Sequence, residues 1–226
     1  MHAMRYAVLP FALLFAATTA AAQSVVVDEG SFTVSRGRDR IGREDFIIRR
    51  TSSPGGDVLV ASATVSYNGR RLSPALRADS TGAPLAYQVE VRSGADIAER
   101  LVGQVGRGRF SARLRTPQGE SAKEYIVSNG ALVLDDDVFH QYYFVARRTD
   151  SGTLPVVIPR RNVQVTVQLA QSGNENVTVG GREISARHLI LRAPGGDERH
   201  IWADADGRVL QVRVGDITAV RDEPPR

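Results

Sequence analysis

The chain has 226 residues, 29 basic against 25 acidic side chains, a net charge of +4 and no cysteine. Without a thiol there is no disulfide, no zinc–thiolate site, no cysteine nucleophile and no cysteine to carry a lipid anchor. The arginines are spread from Arg36 to Arg226 among nearly as many acids, so nucleic acid is not an expected partner, while anionic lipid or polysaccharide stays open.

Residues 1–22 read as a secretory signal. Arg5 supplies a short positive start, residues 6–17 an apolar core, and Ala20 and Ala22 the small residues before a cleavage site at Gln23. The apolar run is too short to cross a bilayer. The mature chain is therefore expected in the periplasm or outside the cell, with no transmembrane segment. Residues 23–221 read as a single antiparallel β domain, since about 200 residues suffice to bury a core without covalent staples. Residues 222–226, with Pro224 and Pro225, read as a loose tail.

Along the domain, residues 31–35 alternate polar and apolar, 37–42 turn and 44–49 resume, which is a hairpin pattern. The serine, proline and glycines of 52–56 predict a loop. Residues 58–67 form a strand pattern ended by Asn68-Gly69, a pair suited to the left-handed positions of a tight turn. A strand over 71–78 contains Pro74, which points to an edge or a bulge. Strands over 85–91, 100–105, 109–115 and 121–127 continue the meander, and a short one over 131–134 precedes the only helical pattern.

That pattern lies in residues 130–148, GALVLDDDVFHQYYFVARR, and predicts a helix over about 136–148. Asp135 or Asp136 offers an N-terminal cap. Val138, Phe139, Tyr142, Tyr143 and Ala146 recur three and four residues apart as one apolar face, and Arg147 and Arg148 stand where the helix dipole favours positive charge. Beyond it, residues 155–159, bracketed by Pro155 and Pro159, read as an edge strand or an extended connection. Strand patterns over 162–169, 174–178, 183–191, 198–203 and 209–214 complete the chain. About a dozen short strands with one central helix predict a mainly β fold, a curled antiparallel sheet or half-open barrel with the helix in its mouth. A two-sheet sandwich is the alternative.

Few residues carry a chemical signature. Asp135-Asp136-Asp137 has oxygen ligands for a cation but reads more simply as a helix start, and Asp204-Ala205-Asp206-Gly207 as a turn. His140, His188 and His200 lack zinc-site spacing, although His188 and His200 can face each other across a hairpin. There is no nucleophile elbow and no phosphate-binding glycine loop. No catalytic residue, metal or cofactor is assigned. The distinctive group is Phe139, His140, Tyr142 and Tyr143, with Trp202 further on. These residues can line an apolar cavity in which His140 orients a ligand, or they can dock the helix on its sheet.

Several stretches together resemble exported bacterial proteins of unknown function of the DUF3108 and DUF6134 type. They are the N-terminal hairpin with its turn over 37–42 followed by Phe46, the 137–148 helix with Tyr142-Tyr143, Gly180-Gly181-Arg182-Glu183-Ile184-Ser185-Ala186-Arg187, and the hairpin from Ile201-Trp202-Ala203-Asp204 to Gly207-Arg208-Val209-Leu210. The resemblance implies kinship in fold with half-barrel lipoprotein carriers, and by analogy lipid or lipoprotein handling. It supplies no catalytic residues, and this chain lacks the lipidation cysteine of the lipoprotein members. The expectation is a non-enzymatic periplasmic binding or carrier protein for an apolar ligand such as a lipid or acyl chain, with Phe139, Tyr142, Tyr143 and Trp202 as walls and His140 as polar contact. The alternatives are an envelope structural or interaction module acting on a protein partner through exposed sheet edges, and a hydrolase of envelope material.

Overall fold

The computed structural model describes residues 24–53, 55–127 and 130–226, so the expected signal segment and its cleavage site lie outside the described residues. Alternation of apolar and polar residues builds the strands. In Arg70–Asp79, for example, Leu72, Pro74, Leu76 and Ala78 are buried while Arg71, Ser73 and Arg77 are exposed.

Eight strands come first: β1 Ser24–Arg36, β2 Asp39–Ser53, β3 Gly56–Tyr67, β4 Arg70–Asp79, β5 Pro84–Ser93, β6 Asp96–Gly106, β7 Arg109–Thr116 and β8 Gly119–Ile126. The two-residue β9, Leu132–Val133, leads to a 3-10 turn at His140–Tyr142 and to α1, Tyr143–Ala146. Then follow β10 Gly152–Ile158, β11 Val163–Val179, β12 Arg182–Arg192, β13 Arg199–Ala203, β14 Val209–Val214 and β15 Ile217–Arg221. Tight turns join most neighbours. Asn68 and Gly69 hold φ of 47° and 74°, the left-handed pair that a two-residue hairpin needs.

All fifteen strands form one sheet in the order β8-β7-β6-β5-β4-β3-β2-β1-β15-β14-β13-β12-β11-β10-β9. Its first and last long-range partners, β1 and β15, pair antiparallel from Phe32↔Arg221 to Arg36↔Ile217. The half-open barrel and the two-sheet sandwich are both corrected by this ladder. It is a single open line with ends at β8 and β9, and no backbone pairing joins those ends among the described residues. The apolar face is covered instead by the segment between β8 and β10, whose Leu132, Val138, Phe144 and Val145 belong to the same core as Phe32, Ile48, Leu72 and Leu101.

The helix is also shorter than its apolar spacing predicts: four α-helical residues after one 3-10 turn, not a run over 136–148. Asp137 sits at φ 61° and breaks the helical path before it begins. Tyr142 to Ala146 are all buried, so the helix has no solvent face to be amphipathic with. The segment expected as an edge, residues 155–159, is interior: β10 pairs with β11 on one side and β9 on the other. The tail expected to be loose is tied down by Asp222, whose amide donates to the Ser31 carbonyl and whose carboxylate accepts from Thr33 and Arg43.

Candidate functional site

Phe139, His140, Tyr142 and Tyr143 are all buried. Phe139 and His140 are held by Glu44 of β2. Its Oε2 accepts the Phe139 amide at 2.6 Å, and its Oε1 accepts the His140 amide at 2.7 Å and His140 Nδ1 at 2.5 Å. Neither the Glu44 nor the His140 side chain is exposed at all. Phe46, two residues along the same strand face, stacks on the imidazole with 6.1 Å between ring centres. A carboxylate 95 residues away thus caps the 3-10 turn, which Asp135 and Asp136 were expected to do. Glu44 shares its parity with the buried Phe46 and Ile48, and an acid on an apolar strand face is the signal that could have found it.

The aspartates serve a second anchor. Asp135 Oδ2 accepts the Tyr87 hydroxyl at 2.7 Å and Arg160 Nε at 2.8 Å, while Asp136 pairs with Arg161. Burial raises the Asp135 carboxyl above its ordinary range, with Arg160 and Tyr87 opposing it. Burial, and then the Asp135 charge, push the Tyr87 phenol well up, so it stays a donor. Among the described residues no group of three or more His, Asp or Glu side chains is placed to hold a metal ion.

Trp202 is not part of this group. It lies on the other face of β13, in a small separate cluster with Val177, Val179, Ala186 and Leu210. Its indole donates to Glu175 Oε2 at 2.8 Å and stacks on His188 at 4.5 Å between ring centres. His188 and His200 do meet, Nε2 to Nδ1 at 3.0 Å, and Glu175 Oε1 accepts His188 Nδ1.

None of the four principal clefts among the described residues is lined by Phe139, His140, Tyr142, Tyr143 or Trp202. The largest, about 830 Å³, lies between the start of β1 and the tail and is floored by Phe46 and Arg221. Three of its four arginines are already matched: Arg221 with Asp28, Arg43 with Asp45 and Asp222, Arg208 with Asp204 and Asp206.

The two ends of the sheet differ. Leu132 and Val133 of β9 are buried and in contact with β5. In β8 every residue but Tyr125 is exposed. The β7–β8 register runs from Thr116↔Gly119 to Arg109↔Ile126, and the Ile126 carbonyl turns outward to accept from Gln164. By the alternation of an antiparallel ladder, Glu120, Ala122 and Glu124 share that orientation and direct their amides and carbonyls away from β7. Among the described residues side chains bridge the second half of this edge, through Lys123 and Tyr125 to Asn162 and Gln164 to Ile126.

No family model matches the chain, and no curated protein matches it. Among solved structures it is similar to a crystal structure described as a beta-barrel-like protein of a domain of unknown function, DUF1849, from Brucella abortus. The TM-score is 0.57 at 8% identity, over 90% of this chain and 98% of that one. This is a likeness of fold. The chain is a mainly β protein with one short helix, distantly similar to a member of a family whose function is unknown. Among the described residues no helix is long and apolar enough to cross a membrane.

Proposed function

We propose that this protein is an exported, non-enzymatic interaction module of the cell envelope, which takes an extended segment of another protein as an added strand at β8. The observation that carries the reading is the asymmetry of the sheet ends: an eight-residue exposed strand at one and a buried two-residue strand at the other. The resemblance to exported proteins of the DUF3108 and DUF6134 type, and the signal pattern of residues 1–22, support the envelope setting. The aromatic group at 139–143 then serves as the core anchor of the segment that covers the sheet.

The edge is unsuited to a second copy of itself. In a two-fold antiparallel pairing the registers centred on Ala122, Lys123 and Glu124 set Glu120 against Glu124, Lys123 against Lys123 and Glu124 against Glu124, and like charges directly opposite repel.

Ala122→Pro tests the reading, because it removes an outward amide and leaves the β7 ladder intact, whereas Lys123→Pro breaks that ladder. A photo-crosslinker in place of Glu124 is expected to capture one partner protein in the host envelope, and Ala122→Pro to abolish capture with little change in melting temperature. No crosslink, a crosslink only to the same chain, or capture indifferent to Ala122→Pro overturns it.

A further inference from the structure

A smaller cleft of about 360 Å³ lies where the chain leaves α1 and passes the β4–β5 turn. Arg147, Arg148, Thr149, Asp150 and Ser151 line one side and Ser80 and Thr81 the other. Both arginines are held in place by neutral groups. Arg147 donates to the Tyr143 hydroxyl at 3.1 Å and lies over that ring, 5.4 Å from its centre. Its stem passes Gly207, where an added Cβ would come within 3.1 Å of Arg147 Cγ. Arg148 donates to the Gly130 carbonyl at 2.9 Å.

Among the described residues neither guanidinium has a carboxylate within 4.0 Å, in contrast to Arg43, Arg208 and Arg221 of the large cleft, whose charges are matched. The nearby acid of the turn, Asp79, is occupied by the Thr81 and Ala83 amides and the Thr81 hydroxyl. Arg187 donates to the Ala146 carbonyl and adds a third positive charge at this end of the molecule. The hydroxyls of Ser80, Thr149 and Ser151 have no hydrogen-bond partner among the described residues. Only Asp150 in the lining opposes an anion, and it is exposed and unpaired.

Arg147 and Arg148 each spend one terminal N–H on a neutral acceptor and line the cleft with hydroxyls around them, an array of donors that suits a tetrahedral oxyanion better than a planar carboxylate, which one guanidinium alone would satisfy. A volume of about 360 Å³ also exceeds what a bare phosphate fills. We infer that this cleft binds a phosphate group, gripped by Arg147 and Arg148 with Ser80, Thr149 and Ser151 as further donors. The site is separate from β8 and does not depend on the strand-addition reading.

The phosphate can be free or the head of a lipid, and two probes separate these sources. Inorganic phosphate is titrated calorimetrically against the full mature chain. Vesicles of phosphatidylcholine with and without phosphatidic acid are tested by co-sedimentation. Saturable binding of inorganic phosphate supports a free ligand. Binding only to vesicles that contain phosphatidic acid supports a lipid head. In either case the Arg147→Gln, Arg148→Gln pair is expected to weaken binding at least about tenfold, as for loss of charge-assisted hydrogen bonds. Ser151→Asp, at an exposed position that folding does not need, is expected to abolish it. Asp150→Asn removes a like charge and is expected to tighten binding about twofold. Absence of binding to both probes, or binding that Ser151→Asp leaves unchanged, overturns the inference even if the arginine pair fails to fold.

Discussion

Glu44 offers the sharpest test of how the covering segment is held. Glu44→Ala strands three donors in the interior: the amides of Phe139 and His140 and the Nδ1 of His140. Each buried donor left unmatched costs about 1–3 kcal/mol, the three costs partly overlap as the segment relaxes, and about 4 kcal/mol is the expected loss. With a urea slope of about 2 kcal/mol per molar, the unfolding midpoint falls by about 2 M. His140→Gln returns an amide donor to Glu44 and keeps both backbone bonds, so it is expected to cost clearly less. Replacing both residues with leucine is not expected to restore stability, because two of the three stranded donors belong to the backbone. Hydrogen exchange at the Phe139 and His140 amides should accelerate in Glu44→Ala. A loss below about 1 kcal/mol, or unchanged exchange at those amides, would show that Glu44 is not the anchor.

Two further outcomes follow from packing and titration. At Gly103 an added Cβ would lie 2.2 Å from Phe110 Cζ, so Gly103→Val is expected to cost about 1–3 kcal/mol by overpacking. Phe110→Leu should recover part of that loss in the double variant, and strict additivity would refute the contact. Trp202 is the one tryptophan of the chain, and it stacks on His200, so its fluorescence responds to the protonation of that imidazole. Burial first, then Arg213 and His188, hold His200 below its ordinary 6.5, with Glu198 opposing. The folded chain therefore binds that proton less readily than the unfolded one. The associated stability is complete above 6.5 and is lost as pH falls through the folded value. Quenching of Trp202 should have a midpoint below 6.5 that His200→Gln removes, and a midpoint above 6.5 refutes the assignment.

Much of the sheet was legible residue by residue. The Asn68-Gly69 turn, the Asp204 to Gly207 turn and the alternation of Leu72, Pro74, Leu76 and Ala78 follow from short-range chemistry. The meeting of His188 and His200 follows from hairpin geometry. The helix is shorter than its pattern because an apolar spacing of three and four residues says which side chains want burial, and not how many sides of the segment will be buried. Aromatic character alone groups Trp202 with Tyr142 and Tyr143, yet its parity with His200, opposite Ile201 and Ala203, places it on the other face.

The local order of strands and turns is thus written in the chain, since alternation and turn residues act over a few positions and need no distant partner. The pairing of β1 with β15, the freedom of β8 beside the burial of β9, and the capping of His140 by Glu44 are not. They arise because one covering segment must bury its apolar residues and match its polar ones against strands far away in sequence, and that match exists only once the whole sheet has formed.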